Sequence, residues 1–381
     1  MRVLSIWDTK ATSARILEES LREIGHDILS VVRNLIIDDI QPDQNVKFQQ
    51  SHSAFNQEKG ALNLQLSRAI SLILFHRFVH LRIKEFRPEI ILCHFGQTGS
   101  RFIRKAKRLG IPIVILFYGH DISAALKTNR WRRKYRKFVN YPCTLLVMCK
   151  EAGRRLEAIG CSSNKIQQWN LPIDLDNYPY KPKFRSSDLV KVLTCARFVE
   201  KKGYPTLFNA LQKLNKDGHR VELHALGYGD GIEDLQNLVR QLEITDIVYW
   251  YRDYTGQRFQ EKYLELLRES DLFILVPEIA ENGDDEGGPP LSLITAQATG
   301  IPIISTRFAG YEITLIDGVT GLLCQHPVDL SIVNYVESYL QDNNRYFQIG
   351  KIGAESARKE FDRETQANKL DIILNEVLSS L

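Results

Sequence analysis

The residues able to do chemistry in this chain lie in short loops that follow apolar runs. Arg197 and Lys202, in ARFVEKKG, leave the run VKVLTC together. A guanidinium and an ammonium at one strand end can neutralise a diphosphate without a metal ion, although each taken singly is an ordinary surface charge. A second loop, 276–300, reads VPEIAENGDDEGGPPLSLITAQATG. Pro289 and Pro290 open a helix there and Gly300 closes it, so the unsatisfied N–H groups of Leu291, Ser292 and Leu293 form a site for phosphate. Acidic residues beside a phosphate are repulsive unless they face something else, which directs Glu286 to sugar hydroxyls. A plain strand–helix–strand crossover is the alternative for this loop.

GYGDG at 227–231 brings Gly227, Tyr228 and Gly229 to a tight turn after RVELHAL. Ile232 stands where the dinucleotide fingerprint has its third glycine, so the turn reads as backbone lying close to a ligand. The run IPIVILF ends in Tyr118, Gly119, His120 and Asp121, where an imidazole beside a carboxylate can hydrogen-bond or transfer a proton. His94, closing IILC, is a second such imidazole. The DLD at 174–176 sits in a proline-containing stretch and reads as turn and capping chemistry. The sequence contains no GxxxxGK[ST], GxSxG or HExxH, which argues against P-loop, α/β-hydrolase and zincin chemistry.

The elements that must position these loops alternate. Strand-like runs MRVLSIW, DILSVV, EIILCHF, IPIVILFYG and CTLLVMC are interleaved with helical patterns over 11–24, 62–86, 101–109 and 150–159. The segment 171–185, with three prolines and no period, breaks the rhythm as a linker. The rhythm restarts with LVKVLTCARF, RVELHALGYGDG, DIVYWY, DLFILVPE and IPIISTRF, and helical spacing returns over 328–381. The fold class is therefore α/β: two doubly wound, Rossmann-like domains facing across a cleft. The expected boundaries are 1–178, 179–360 and a C-terminal helix 361–381 packing back on the first domain. A length of 381 residues fits two domains at about 150 residues each.

Composition is that of an ordinary globular chain, 44% hydrophobic and 25% charged. Without a long apolar run or an export signal, the expectation is a cytoplasmic protein with its six cysteines reduced. The net charge of +4 conceals an asymmetry. Residues 1–180 hold 28 basic and 16 acidic side chains, against 22 and 30 in the remainder, and 101–150 hold 13 basic and one acidic. Such a tract, from Arg101 to Lys137, is either a solvated basic face or a surface for an anionic partner such as lipid headgroups.

Together the motifs resemble the retaining glycosyltransferases of family 4 with the GT-B fold, above all bacterial enzymes that extend envelope polysaccharides. The likeness spans the chain. ARFVEKKG is similar to the family's donor-diphosphate Arg and Lys, LGYGDGIEDLQNLVRQL to its glycine turn and helix, EGGPPLSLITAQATGIPIISTRFAGYEITLIDGVTGLL to its carboxylate signature, and CKEAGRRLEAIGCSSNKIQQWNLPIDLDNY to its connector. Three features depart from the pattern. The signature's second glutamate, eight positions after the first, is replaced by Thr295, nine after Glu286, through an insertion within Gly287, Gly288, Pro289 and Pro290. A hydroxyl there weakens recognition of the ribose diol. The family's His-Gly pair becomes Tyr118-Gly119-His120, leaving open whether His120 takes the histidine's place. WDTKATS at 7–13 replaces a glycine-rich first loop.

The resemblance implies transfer of a hexose from a nucleotide sugar, UDP-glucose ahead of GDP-mannose, to a glycan or polyprenyl-diphosphate-linked acceptor, with net retention and no metal or other cofactor. Arg197, Lys202, Glu286 and His120 are the implied catalytic residues. The donor is implied to rest on Gly227, Tyr228, Gly229, Tyr251, the Glu286–Ser292 segment and Thr295, with His94, Tyr118, Gly119 and Asp121 on the acceptor side. The tract 101–137 would hold the protein peripherally on the inner face of the plasma membrane. Two alternatives remain: a nucleotide-sugar 2-epimerase of the same architecture, which needs no acceptor, and a nucleotide-sugar-binding protein without turnover. Nucleic acid is not an expected partner.

Overall fold

The computed structural model describes residues 1–9, 12–34, 45–47, 61–182 and 187–380, with side chains described for 1–7, 15–33, 72–182 and 187–380. The side chains of 8–13 in WDTKATS and residues 183–185 of the linker 171–185 therefore lie outside the described residues. The chain forms two compact units, one of Met1–Val147, Gly153–Pro172 and Gln366–Leu381, the other of Met148–Ala152 and Ile173–Thr365.

In the first unit the elements are β1 (Arg2–Thr9), α1 (Thr12–Glu23), β2 (Asp27–Asn34), β3 (Asn45–Lys47), α2 (Ala61–Phe86), β4 (Ile90–His94), α3 (Gly96–Leu109), β5 (Ile113–Leu116), α4 (Ala124–Lys127), α5 (Asn129–Asn140), β6 (Thr144–Val147), α6 (Lys150–Glu157) and β7 (Ile166–Gln168). All neighbours pair in parallel, in the order β3-β2-β1-β4-β5-β6-β7. Every residue of β4 and β5 is buried, which is why these strands read as unbroken apolar runs: a parallel sheet is covered on both faces.

The second unit holds β8 (Val190–Cys195), α7 (Tyr204–Lys216), β9 (Val221–Leu226), α8 (Ile232–Gln241), β10 (Val248–Tyr251), α9 (Gly256–Glu269), β11 (Leu272–Leu275), α10 (Leu291–Ala298), β12 (Ile303–Ser305), α11 (Tyr311–Thr314), β13 (Leu322–Leu323), α12 (Val328–Gln341) and α13 (Asn343–Phe361). Its order is β10-β9-β8-β11-β12-β13, again all parallel. Alternate residues supply two cores. Val190, Val192, Leu223, Leu272 and Ile274 pack on one face, and Leu193, Cys195, Leu226, Phe273 and Leu275 on the other.

Both sheets place their first strand between the second and the fourth. The chain direction across the sheet reverses there, and in open α/β sheets ligands bind beyond the carboxyl ends of the strands at such a point. The helix α14 (Arg363–Ser379) belongs from Gln366 onward to the first unit. Trp169 Nε1 donates to the Gln366 carbonyl at 3.0 Å, and His26 Nε2 meets Asp371 Oδ1 at 2.8 Å. The unit break at Pro172 precedes the expected 178/179 boundary because Ile173 and Leu175 are buried with Ile294, Ala298, Ala357 and Phe361. No disulfide joins the cysteines, and no helix among the described residues is long and apolar enough to cross a membrane.

Candidate functional site

Three loops of the second unit are laced together at the carboxyl ends of β8, β9 and β10. Phe198 N donates to the Tyr228 carbonyl at 2.8 Å, Gly231 N to the Phe198 carbonyl at 3.2 Å, and Gly227 N to the Tyr251 carbonyl at 3.0 Å. The glycines of GYGDG are needed for this approach. A Cβ on Gly227 would lie 1.9 Å from the Ala196 carbonyl oxygen, and one on Gly229, whose φ is +145°, 2.8 Å from that of Phe198. The expected glycine turn thus forms one surface with the Arg197 loop. Arg197 is exposed and its guanidinium has no partner among the described residues; Tyr228, whose carbonyl accepts from Phe198 N, is 60% exposed. The Tyr251 hydroxyl meets His224 Nδ1 at 3.0 Å, and Lys262 Nζ sits over its ring at 5.4 Å.

Lys202 is joined to the acidic loop. Its Nζ donates to Glu286 Oε1 at 2.6 Å, with both side chains about one-tenth exposed. The preceding Lys201, 5% exposed, donates to the Asp285 carbonyl at 2.9 Å and pairs with Asp284 Oδ2 at 3.0 Å. Gly287 and Gly288 are buried against Met148 and Cys149, and a Cβ on Gly288 would come within 2.4 Å of Met148 Cε.

Pro290 precedes α10 as its N-cap, and the Leu293 N–H is used, donating to the Pro290 carbonyl at 3.1 Å. That corrects the expectation of three open donors: Leu291 and Ser292 retain N–H groups without an acceptor among the described residues. Thr295 faces inward. It is buried, its hydroxyl donates to the Leu291 carbonyl at 2.9 Å and meets Tyr263 Oη at 3.2 Å, so its oxygen is spent on the helix and the core. Tyr263 also donates to the Ser292 carbonyl at 2.5 Å. Neither Tyr263 nor Lys201 carries a signal in the sequence, the one lying in an ordinary helical stripe and the other beside a more conspicuous lysine.

In the first unit the side chains at the ends of β1, β4 and β5 form a buried network. Trp7 Nε1 donates to Ser5 Oγ at 2.8 Å and to Glu18 Oε1 at 2.9 Å; Ser5 Oγ meets His94 Nε2 at 3.1 Å; His94 Nδ1 meets Tyr118 Oη at 2.6 Å. His94 is wholly buried, whereas its partner Tyr118 is half-buried. Asp121 is also wholly buried, accepting from Gly96 N and Tyr118 N at 2.9 Å each. Burial pushes its carboxyl up to about 6, against the pull of those N–H groups. The Tyr118 hydroxyl is pushed well above the ordinary phenol value by burial first and then by the nearby Asp121 and Glu18 charges. His120 is exposed, and Gly119 gives its carbonyl to Ile122 and Ser123. Tyr118, rather than His120, is therefore the side chain that the network holds.

Residues 13–177 match the family described as Glycosyltransferase Family 4, and residues 180–356 match that described as Glycosyl transferases group 1. WcaL of Escherichia coli K12, a glycosyltransferase assigned provisionally to colanic acid biosynthesis, is 24% identical over 300 residues, 78% of this chain and 70% of that one. The amylovoran biosynthesis glycosyltransferase AmsK of Erwinia amylovora is 29% identical over 255 residues, 66% of this chain and 61% of that one. The chain thus spans between three-fifths and seven-tenths of the length of these relatives. Among solved structures, a sucrose-phosphate synthase of Thermosynechococcus elongatus superposes over the whole of both chains with a TM-score of 0.79 at 15% identity. HepE of Anabaena, in complex with UDP and glucose, does so with a TM-score of 0.72 at 16% identity.

Proposed function

The chain belongs to glycosyltransferase family 4 and has the GT-B fold, and from that premise we propose that it moves a hexose from a nucleotide sugar to a growing glycan in bacterial surface-polysaccharide synthesis. The pathway is carried over from the relatives named for colanic acid and amylovoran synthesis. The chemistry rests on one observation, the 2.6 Å bond between Lys202 and Glu286 at the edge of the β8 loop. Breaking a sugar–phosphate bond leaves negative charge on the diphosphate, and Lys202, Arg197 and the open N–H groups of Leu291 and Ser292 are the donors for it. No divalent cation is assigned a part. Glu286 then turns its carboxylate to the hexose hydroxyls. Retention at the anomeric carbon follows from front-face attack, with the leaving phosphate assisting deprotonation of the acceptor, so a glycosidase-like carboxylate pair is not required.

UDP-glucose is the first donor to test and GDP-mannose the second; one relative, from Mycolicibacterium smegmatis, is named as GDP-mannose-dependent. A thermal-shift screen of UDP, GDP and ADP sugars identifies the base, because a ligand that binds only the folded state raises the melting point. Transfer by wild type in EDTA and its loss in Lys202→Ala is the expected result. A new epimer formed from donor alone would replace transferase with epimerase.

The acceptor is assigned to the first unit, presented on a lipid carrier at a membrane surface. Arg104, Lys107 and Arg108 on α3 and Arg130, Arg132, Arg133 and Arg136 on α5 are exposed. Lys137 is not a free charge, since its Nζ donates to the Ser100 carbonyl at 2.7 Å. Replacing Arg132, Arg133 and Arg136 by Ser is expected to lower co-sedimentation with anionic vesicles at moderate salt. Unchanged co-sedimentation refutes docking through this surface.

A further inference from the structure

We infer that Lys201 is a positioning residue for Glu286: it fixes the backbone of the acidic loop so that the neighbouring carboxylate is presented to the donor sugar. The inference rests on the proposed role of Glu286. It begins from three consecutive residues, Glu200–Lys202, which form a single turn after β8. Each one holds the loop that follows β11. Glu200 Oε1 accepts from Glu281 N at 2.6 Å, and the Lys201 carbonyl accepts from Glu278 N at 3.1 Å. Lys201 Nζ takes the Asp285 carbonyl and the Asp284 carboxylate, and Lys202 Nζ takes Glu286. At the end of this turn Gly203, with φ +67°, packs so closely that a Cβ would lie 2.0 Å from the Val276 carbonyl oxygen. Turn and loop are thereby one body from its root at Val276 to Glu286.

The Asp285 carbonyl belongs to the peptide group that carries the Glu286 nitrogen. An ammonium bonded to it restrains the plane of that peptide and hence the backbone position from which the Glu286 side chain starts. Lys201 is nearly excluded from water, so its charge must be met locally, and the carbonyl and the Asp284 carboxylate do so. Two adjacent lysines thus divide the work. One holds the backbone, and the other meets the ligand-facing carboxylate. A charge placed a fraction of an ångström away from its target loses much of its effect on the reaction.

The test compares Lys201→Met, which keeps the stem and removes the charge, with Asp284→Asn, which keeps the carbonyl bond and weakens the pair. UDP and UDP-glucose are the probes, or the GDP or ADP pair if thermal shift selects it. UDP affinity is expected to stay within threefold of wild type in both variants, since Lys202, Arg197 and α10 are untouched. For Lys201→Met, affinity for the nucleotide sugar relative to the nucleotide falls at least tenfold and kcat falls 10- to 100-fold; for Asp284→Asn both losses are three- to tenfold. Hydrogen exchange at the Glu278 and Glu281 amides quickens in Lys201→Met while the β8 and β9 amides stay protected. A lowered melting point with the wild-type ratio of sugar-nucleotide to nucleotide affinity reduces Lys201 to a structural residue and overturns the inference. Parallel loss of UDP affinity overturns it too, by placing Lys201 in the phosphate site. Should Lys201→Met fail to fold, Asp284→Asn decides alone on the same ratio. If wild type binds none of these nucleotide sugars, the donor assignment fails, and the positioning role falls with it only if exchange at Glu278 and Glu281 is also unchanged.

Discussion

Replacing Glu286 by Gln should move nucleotide binding and transfer in opposite directions. The Lys202 ammonium is held by the Glu286 carboxylate at 2.6 Å, and both groups are largely out of water. A hydrogen bond between charged groups contributes about 1.5–3 kcal/mol, roughly twice a neutral one. A diphosphate that takes the ammonium gives up that contribution, whereas against a glutamine carbonyl it gives up about half. The difference, on the order of 1 kcal/mol, corresponds to about fivefold tighter binding of the free nucleotide. Transfer should fall on the order of 100-fold, because the amide accepts more weakly from sugar hydroxyls that need a carboxylate in the transition state. Calorimetry with UDP and a transfer assay on the same preparation read both effects. Unchanged or weaker UDP binding in a folded Glu286→Gln protein would show that the carboxylate does not compete for Lys202, and the reasoning would fail.

Asp121→Asn tests the buried carboxyl. A folded value of about 6 against 3.8 when exposed means that the native state holds more protons between these pH values, so this group's stabilising share is complete below about pH 4 and lost by about pH 6. The rise corresponds to about 3 kcal/mol, and the cost of the substitution in urea unfolding should therefore be larger at pH 4 than at pH 7; an equal cost at both refutes the burial effect. Gly227→Ala should destabilise the second unit by on the order of 3–5 kcal/mol through the clash with the Ala196 carbonyl, while Gly218→Ala, with φ +86° and open space around it, should cost about 1–2 kcal/mol. Comparable melting points for the two variants would contradict the close packing at Gly227. Tyr118→Phe removes the 2.6 Å bond to His94 and should raise the acceptor KM several-fold with UDP binding unaltered; an unaltered acceptor KM removes Tyr118 from the acceptor side.

What the sequence made legible follows from burial. The strands β4, β5, β8 and β11 are covered on both faces and so announce themselves as apolar runs. The edge strands β3, β7 and β13 are two or three residues long, and NVK and IQQ carry no period at all. The helix α5 was hidden under its own charge: only Tyr135 and Phe138 of its twelve residues are buried, too few to set a helical stripe. The helix α3 begins at Gly96, five residues before the pattern starts, because Gly96 and Gly99 lie against Phe117, Tyr135 and Ile115 where no side chain fits. Arg197, Lys202, Glu286 and the glycine turn could be found from residue type and position after a strand. The parts played by Lys201 and Tyr263, and the inward turn of Thr295, could not, since they depend on which way a side chain points after the loop has folded.

The carboxylate in a site designed for phosphate has a physical reason on the proposed reading. A lysine nine-tenths buried and facing no anion would be costly, by about several kcal/mol before relaxation. Glu286 meets that charge until the donor arrives. A nucleotide sugar then offers the displaced carboxylate hydroxyls to bind, whereas the product nucleotide offers none, and Glu286 reclaims Lys202 as the nucleotide leaves. Discrimination between donor and product therefore depends on Glu286 being able to alternate between two partners without moving its backbone. That is the demand which the bond from Lys201 to the Asp285 carbonyl satisfies: it restrains the peptide and leaves the carboxylate free to turn.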